Sequence, residues 1–136
     1  METRAIVSDI HSNLEALTAV LGKIDSLGIK TIYSLGDTVG YGPDPEACTR
    51  LAAERFSVRL LGNHEFSILH PGDIANHPVA QQAMDWTHNR LVKAGLLDQA
   101  TGFLVIAQFF HDESHAVEYA RVRGCSPRQE GAQGGQ

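Results

Sequence analysis

The sequence predicts an α/β fold, a parallel or mixed sheet with flanking helices. Two observations point there. Short apolar, β-branched runs alternate with segments of helical periodicity, and each of the first three runs ends in a polar cluster, the second and third of which open on a glycine. Strand, helix, strand in that order implies a βαβ unit with parallel strands.

Residues 4–8 (Arg4, Ala5, Ile6, Val7, Ser8) read as a buried first strand. Ser12-Asn13-Leu14-Glu15 has the capping-box form S-x-x-E. Leu14, Leu17, Leu21, Ile24 and Leu27 then recur at helical spacing, and Gly28 suits the position just past a helix end. Residues 31–35 form the second predicted strand. Residues 36–43 make a glycine-rich loop, after which Asp44 caps a second helix with Pro45 in its first turn. Residues 56–61 give a third strand ending at Gly62, and 66–78 an irregular loop punctuated by Pro71-Gly72 and Pro78. A helix is expected over 79–97, burying Ala83, Trp86, Leu91 and Leu97, and a fourth strand over 103–110. The composition divides the chain into a folded domain, 1–123, and a polar tail, 124–136, expected to be disordered.

At 136 residues the chain has room for one domain with one core. Its net charge of −5 argues against broad binding to nucleic acid or anionic membrane, because phosphates repel such a surface. The two cysteines, Cys48 and Cys125, form no C-x-x-C pair or disulfide framework. The N-terminus lacks the pattern of a signal peptide, and no run has the apolar length of a membrane span. A cytoplasmic location is expected. The sequence sets no oligomeric state.

Three polar clusters follow the three predicted strands: Asp9-Ile10-His11, Gly36-Asp37 and Gly62-Asn63-His64-Glu65. In a parallel sheet all three lie at the C-terminal strand edge, where α/β proteins bind ligands. Asp9 and His11 offer a carboxylate oxygen and an imidazole nitrogen, Asp37 a carboxylate able to bridge two cations, and Asn63 an amide oxygen. Mixed N and O ligands without thiolate suit Mn, Fe, Zn or Ni better than Ca or Mg. Two such ions roughly 3.5–4 Å apart clamp a phosphate and activate a water. Gly36 and Gly62 let the backbone turn sharply where the strands feed the site. Singly, each cluster reads as a turn; in order, each after a strand, they read as a site.

These blocks resemble the calcineurin-like metallophosphoesterase superfamily, whose motifs run D-x-H, G-D and G-N-H-E/D. The run from Gly36 through Tyr41 to Pro43 is similar to a bacterial branch of predicted phosphodiesterases. The similarity extends from about Ala5 to Leu69, with a weaker echo at Trp86-Thr87. The resemblance implies a phosphoric ester hydrolase, a phosphodiesterase by its branch, acting through a binuclear centre and a metal-bound hydroxide. Asp9 and His11 would hold the first metal, Asp37 both, and Asn63 the second; manganese is favoured. His64 would stabilise or protonate the leaving oxygen. Glu65 would orient His64 or lie on the surface. The implied partner is a small phosphate ester.

The family supplies three further histidines, one in an H-G-S-P-like run and two in a G-H-T-H-like block. This chain has no G-H-x-H. His111, directly after residues 103–110, stands either as a further metal ligand or as a solvated histidine at a strand end. His70, His77, His88 and His115 read as surface or loop histidines, and Tyr41 either flanks the phosphate site or packs. The resemblance therefore implies the front half of a β-sandwich with helices, cut short at the C-terminus. Two other readings follow: a remnant that binds metal weakly without catalysis, or a regulatory module that holds a phosphate or nucleotide.

Overall fold

The computed structural model describes residues 3–70 and 77–101. The expected fourth strand, His111, His115, Cys125 and the polar tail lie outside these residues, as does the punctuated stretch 71–76.

The described chain runs β1 (Arg4–Val7), α1 (Leu14–Ser26), β2 (Thr31–Ser34), α2 (Pro45–Arg55), β3 (Val58–Arg59), α3 (Asn63–Leu69), α4 (Pro78–Lys93) and α5 (Leu97–Thr101). The three strands form one sheet in the order β1-β2-β3. Both pairings are parallel, with Ala5 opposite Ile32 and Tyr33 opposite Val58. The predicted α/β class is therefore what the chain adopts. β3 is shorter than expected, because Phe56 closes α2 and turns into the core instead.

β1 does not match its reading as a fully buried strand. It is an edge strand among the described residues, and its side chains alternate. Ala5 and Val7 pack on the core, while Ile6 is 66% exposed on the opposite face. A run of apolar residues says that a strand is possible; it does not say how many faces are covered.

Two apolar clusters hold the fold. The first joins Leu17, Leu21 and Ile24 of α1 to Ile32 of β2, Cys48 and Ala52 of α2, and Phe56. The second joins Ile68 of α3, Met84 and Leu91 of α4, Leu96, and Ala100 of α5 to Val39, a loop residue after β2. That loop is thereby pinned by a core it does not belong to.

Helix ends show what the sequence signals. α1 closes at Gly28, φ 70°, whose N–H donates to Asp25 O while Ile29 N–H donates to Ile24 O. This is the Schellman pattern, which satisfies two end carbonyls. The same arrangement ends α4: Gly95, φ 66°, donates to Val92 O and Leu96 to Leu91 O. The predicted helix 79–97 ran through this stop, and Lys93-Ala94-Gly95 was the signal for it. At the N-terminus of α1 the cap is Asn13, not Ser12; its Oδ1 accepts from Ala16 N at 2.9 Å. Asp44 occupies the cap position of α2 as expected, although its side chain makes no capping bond.

Two further expectations change. Residues 63–69 are helical, so the loop expected over 66–78 does not begin at residue 66. Trp86, expected in the core, is 42% exposed, with the Arg90 guanidinium 5.0 Å from its ring centroid. Of the other buried positions predicted for the helix over 79–97, Leu91 is fully buried, and Ala83 of α4 and Leu97 of α5 pack at the edge of the second cluster.

Leu91→Ala should lower stability by about 2–5 kcal/mol, the usual cost of such a cavity, in urea unfolding followed by circular dichroism. Cys48 gives a second test. It is fully buried, and burial pushes its thiol up to about 12, with Asp44 adding to the shift. The native chain thus keeps this proton where the unfolded thiol, with its ordinary value of 9.0, loses it. Stability should fall as the pH rises from about 9 toward about 12. In a Cys125→Ser background, a thiol reagent should label Cys48 only as fast as the chain opens; rapid labelling of native protein would contradict the burial.

Candidate metal centre

The loops after β1 and β2 are stitched together at the C-terminal sheet edge. Asp9 N donates to Gly36 O, His11 N to Asp37 O and Ser12 N to Thr38 O, at 3.3, 2.9 and 2.9 Å. Gly42 N returns to His11 O at 2.9 Å. These bonds prolong the parallel pairing of β1 and β2 beyond the strands themselves.

The backbone there is forced. Among the described residues, the non-glycine residues with positive φ are Asp9, His11, Ser12, Asp37 and Tyr41, at 49–58°. All belong to these two loops. A left-handed conformation costs roughly 1–2 kcal/mol at a residue with a Cβ, and such strain concentrates at functional sites. Gly36 and Gly62 relieve the crowding that remains. A Cβ on Gly36 would lie 2.5 Å from Gly62 N, and one on Gly62 would lie 2.2 Å from Asp37 Oδ1. Neither position has room for any other residue.

The result brings Asp9, His11 and Asp37 together, one ligand atom from each within 4.8 Å of the others. His11 Nε2 and Asp9 Oδ1 are 3.5 Å apart, too far for a normal hydrogen bond. That spacing suits two ligands of one ion, since bonds of about 2.0–2.2 Å leave the ligand atoms roughly 3–3.5 Å from each other. The Ser8 hydroxyl holds the Asp9 carboxyl below its ordinary value, with burial opposing and His11 helping, so the group is anionic as a ligand must be.

His64 and Asn63 arrive on the first turn of α3. His64 N donates to Asp37 Oδ1 at 2.9 Å, which ties the start of α3 to the central carboxylate. The His64 ring lies 4.4 Å from His11 and 4.5 Å from Tyr41, centroid to centroid. Burial pushes its imidazole below the ordinary value, while Asp37 pulls it back up. Asn63 is exposed beside it. The Nδ1 atoms of His11 and His64 are buried without a hydrogen-bond partner. Two carboxylates and an imidazole brought within reach of one point, on a backbone held left-handed at all three, fit a site built for a cation.

Three residues do more here than the sequence reading gave them. Glu65 is fully buried, so it is no surface residue, and its bonds run to backbone amides rather than to His64. Its Oε2 accepts from Asp37 N and Gly62 N, both at 2.9 Å. Its Oε1 accepts from Thr38 N at 2.7 Å and Val39 N at 3.2 Å. Burial and the Asp37 charge raise its carboxyl, and the amide bonds oppose them. Its place three residues after Gly62, in the third helical position, was the available signal. Ser12, read as a helix cap, instead accepts from Gly40 N through its Oγ at 3.1 Å. Tyr41 is 59% exposed and faces His11 and His64, flanked by two glycines.

The remaining described histidines have local roles. His77 caps α4, accepting from Val79 N, and His88 Nδ1 meets Ile68 O at 3.1 Å. His70 stacks near Phe66, centroids 4.5 Å apart.

The chain as a whole is similar to known proteins. A metallophosphoesterase from Sphaerobacter thermophilus has a similar structure, with a TM-score of 0.59 and 36% identity, covering 74% of this chain and 40% of its own. An uncharacterized protein of Methanocaldococcus jannaschii is 51% identical over 65 residues, which are 48% of this chain and 27% of that protein. The chain thus spans well under half the length of the relatives it matches. The calcineurin-like phosphoesterase family model matches residues 3–121. With its three motif loops converging on one sheet edge, the chain belongs to the calcineurin-like phosphoesterase family.

Proposed function

We propose that the chain carries the metal-binding half of a phosphodiesterase site. The observation that carries this reading is the convergence of Asp9, His11 and Asp37, from the ends of two neighbouring parallel strands, on one point. Family membership supports a phosphate ester as the substrate class. Among the described residues no helix is long and apolar enough to cross a membrane.

Asp9 and His11 would hold a first divalent ion, Asp37 would serve both, and Asn63 a second. The donor set, imidazole nitrogen with carboxylate and amide oxygens, suits Mn, Fe, Zn or Ni, and manganese is the ion we favour and test. When bound, such ions polarise a phosphoryl oxygen and make a water more acidic. The chain's own contribution is geometric and acid–base. The Gly36–Gly62 contact and the Glu65 carboxylate fix the Asp37 backbone. His64 stands beside His11, and its imidazole is the group suited to the leaving oxygen of the ester. Tyr41 borders the same opening.

With Mn²⁺ added, the protein should hydrolyse bis(p-nitrophenyl) phosphate and stop on chelation. Hydrolysis that ignores a chelator would count against a metal mechanism. Bound Mn²⁺ with no turnover in Mn, Ni, Co or Zn would support a binding module instead.

Asp37→Asn and His64→Ala should fail in different ways. Asp37→Asn should weaken Mn²⁺ binding in calorimetry and lose activity with it, because the shared carboxylate offsets the charge of both ions. His64→Ala should keep the metal while turnover falls by roughly 10²–10⁴-fold. Equal metal loss in both variants would show that His64 is a ligand and not the acid.

A further inference from the structure

We propose that Glu65 is the positioning residue that sets the metal affinity of this site, by holding Asp37 in the conformation that turns its carboxylate toward Asp9 and His11. The inference rests on the proposed metal site and deepens it.

A glutamate in the third position of a helix needs only one bond, to the N-cap amide, to serve as a cap. Glu65 makes that bond to Gly62 N and three more, to Asp37, Thr38 and Val39, across 26–28 residues of chain. The three successive amides belong to the loop that carries the central ligand. All four donors point at one carboxylate that water does not reach. No other described side chain bonds both the β2 loop and the β3 loop through more than one backbone amide.

The consequence for Asp37 follows from its φ of 54°. Left alone, a residue with a Cβ relaxes out of the left-handed region. Here the Asp37 N–H is fixed by Glu65 Oε2 on one side, and the Asp37 Oδ1 accepts from His64 N on the other. Backbone and side chain of Asp37 are therefore both clamped by the first turn of α3. Groups that orient a ligand in this way commonly change metal affinity by about 10–100-fold when removed.

Glu65→Gln is the sharp test. Its NH₂ cannot accept, so either orientation leaves two of the four amides facing a donor. Mn²⁺ binding is measured by calorimetry well below the melting temperature, with folding checked by circular dichroism. Amide resonances of Asp37, Thr38, Val39 and Gly62 are followed by NMR. In Glu65→Gln the Kd for Mn²⁺ should rise by roughly tenfold or more. The pair of amide resonances that loses its acceptor, Asp37 and Gly62 or Thr38 and Val39, should move upfield, and the backbone shifts of Asp37 should leave their left-handed values. Leu21→Ala, in the first apolar cluster, serves as a control for lost stability alone and should keep the wild-type Kd. Should Glu65→Gln not fold, Glu65→Asp, which keeps two oxygens on a shorter arm, is read by the same criteria. An unchanged Kd in the Glu65 variant, or an equal rise in Leu21→Ala, would overturn the proposal. If the wild-type chain binds no Mn²⁺, the proposed function fails by itself. The role of Glu65 is then judged by the Asp37 resonances: displacement supports it, and unmoved shifts overturn it.

Discussion

The site depends on a buried charge surrounded by backbone. Glu65 sits in the interior with its two oxygens shared among four N–H groups. An unpaired carboxylate in that position would be costly. Hydrogen bonds to a charged acceptor contribute about 1.5–3 kcal/mol each, against roughly 1–2 kcal/mol for each left-handed residue in the adjoining loops. The two effects are of the same order, so a few charge-assisted bonds are enough to hold a backbone that would otherwise relax. Loop strain and carboxylate burial are thus two halves of one arrangement, and the polar groups that chemistry needs are left facing outward from it.

The second apolar cluster supports that arrangement from below. Val39, the last residue whose amide Glu65 accepts from, has no exposed surface and packs with Ile68, Met84 and Leu91. α3 contributes Glu65 to the polar side and Ile68 to the apolar side. One short helix therefore joins the ligand loop to the hydrophobic interior, and its register decides both contacts. This explains why seven residues suffice for α3: its stability comes from what its two faces hold rather than from its own length.

Much of this was legible in the residues. The alternation of strand and helix gave the α/β class, and the three motifs gave the residues that meet. Gly28 announced the end of α1, and Gly95 announced the end of α4 just as clearly, though the helical period around it drew the expectation past it. Other features were hidden for physical reasons. A strand's apolar content does not reveal that Ile6 faces outward, because exposure depends on which layers cover the sheet. Trp86 is expected among the buried positions of its helix, yet the Arg90 beside it lets an aromatic face stay at the surface. Glu65 is the instructive case. Three of its four bonds go to amides far away in sequence, so no local pattern could show them. Likewise the left-handed backbone at Asp9, His11, Ser12, Asp37 and Tyr41 arises from the stitching of two loops, and residue types other than glycine announce such positions only weakly in sequence.

The two ends of the sheet differ in how much change they tolerate. At the end away from the site, α1 reaches β2 through Leu27-Gly28-Ile29-Lys30, and α2 reaches β3 through Phe56-Ser57. Extra residues there lengthen a connection, and doubling the length of a flexible loop costs only about 0.6 kcal/mol of closure entropy. At the other end, most residues of the β1 and β2 loops are bonded to a fixed partner. One added residue would shift Asp37 off its partners. Variation in length among chains of this kind should therefore gather at one rim of the sheet, and the other rim should keep its residue count while its neighbours diverge.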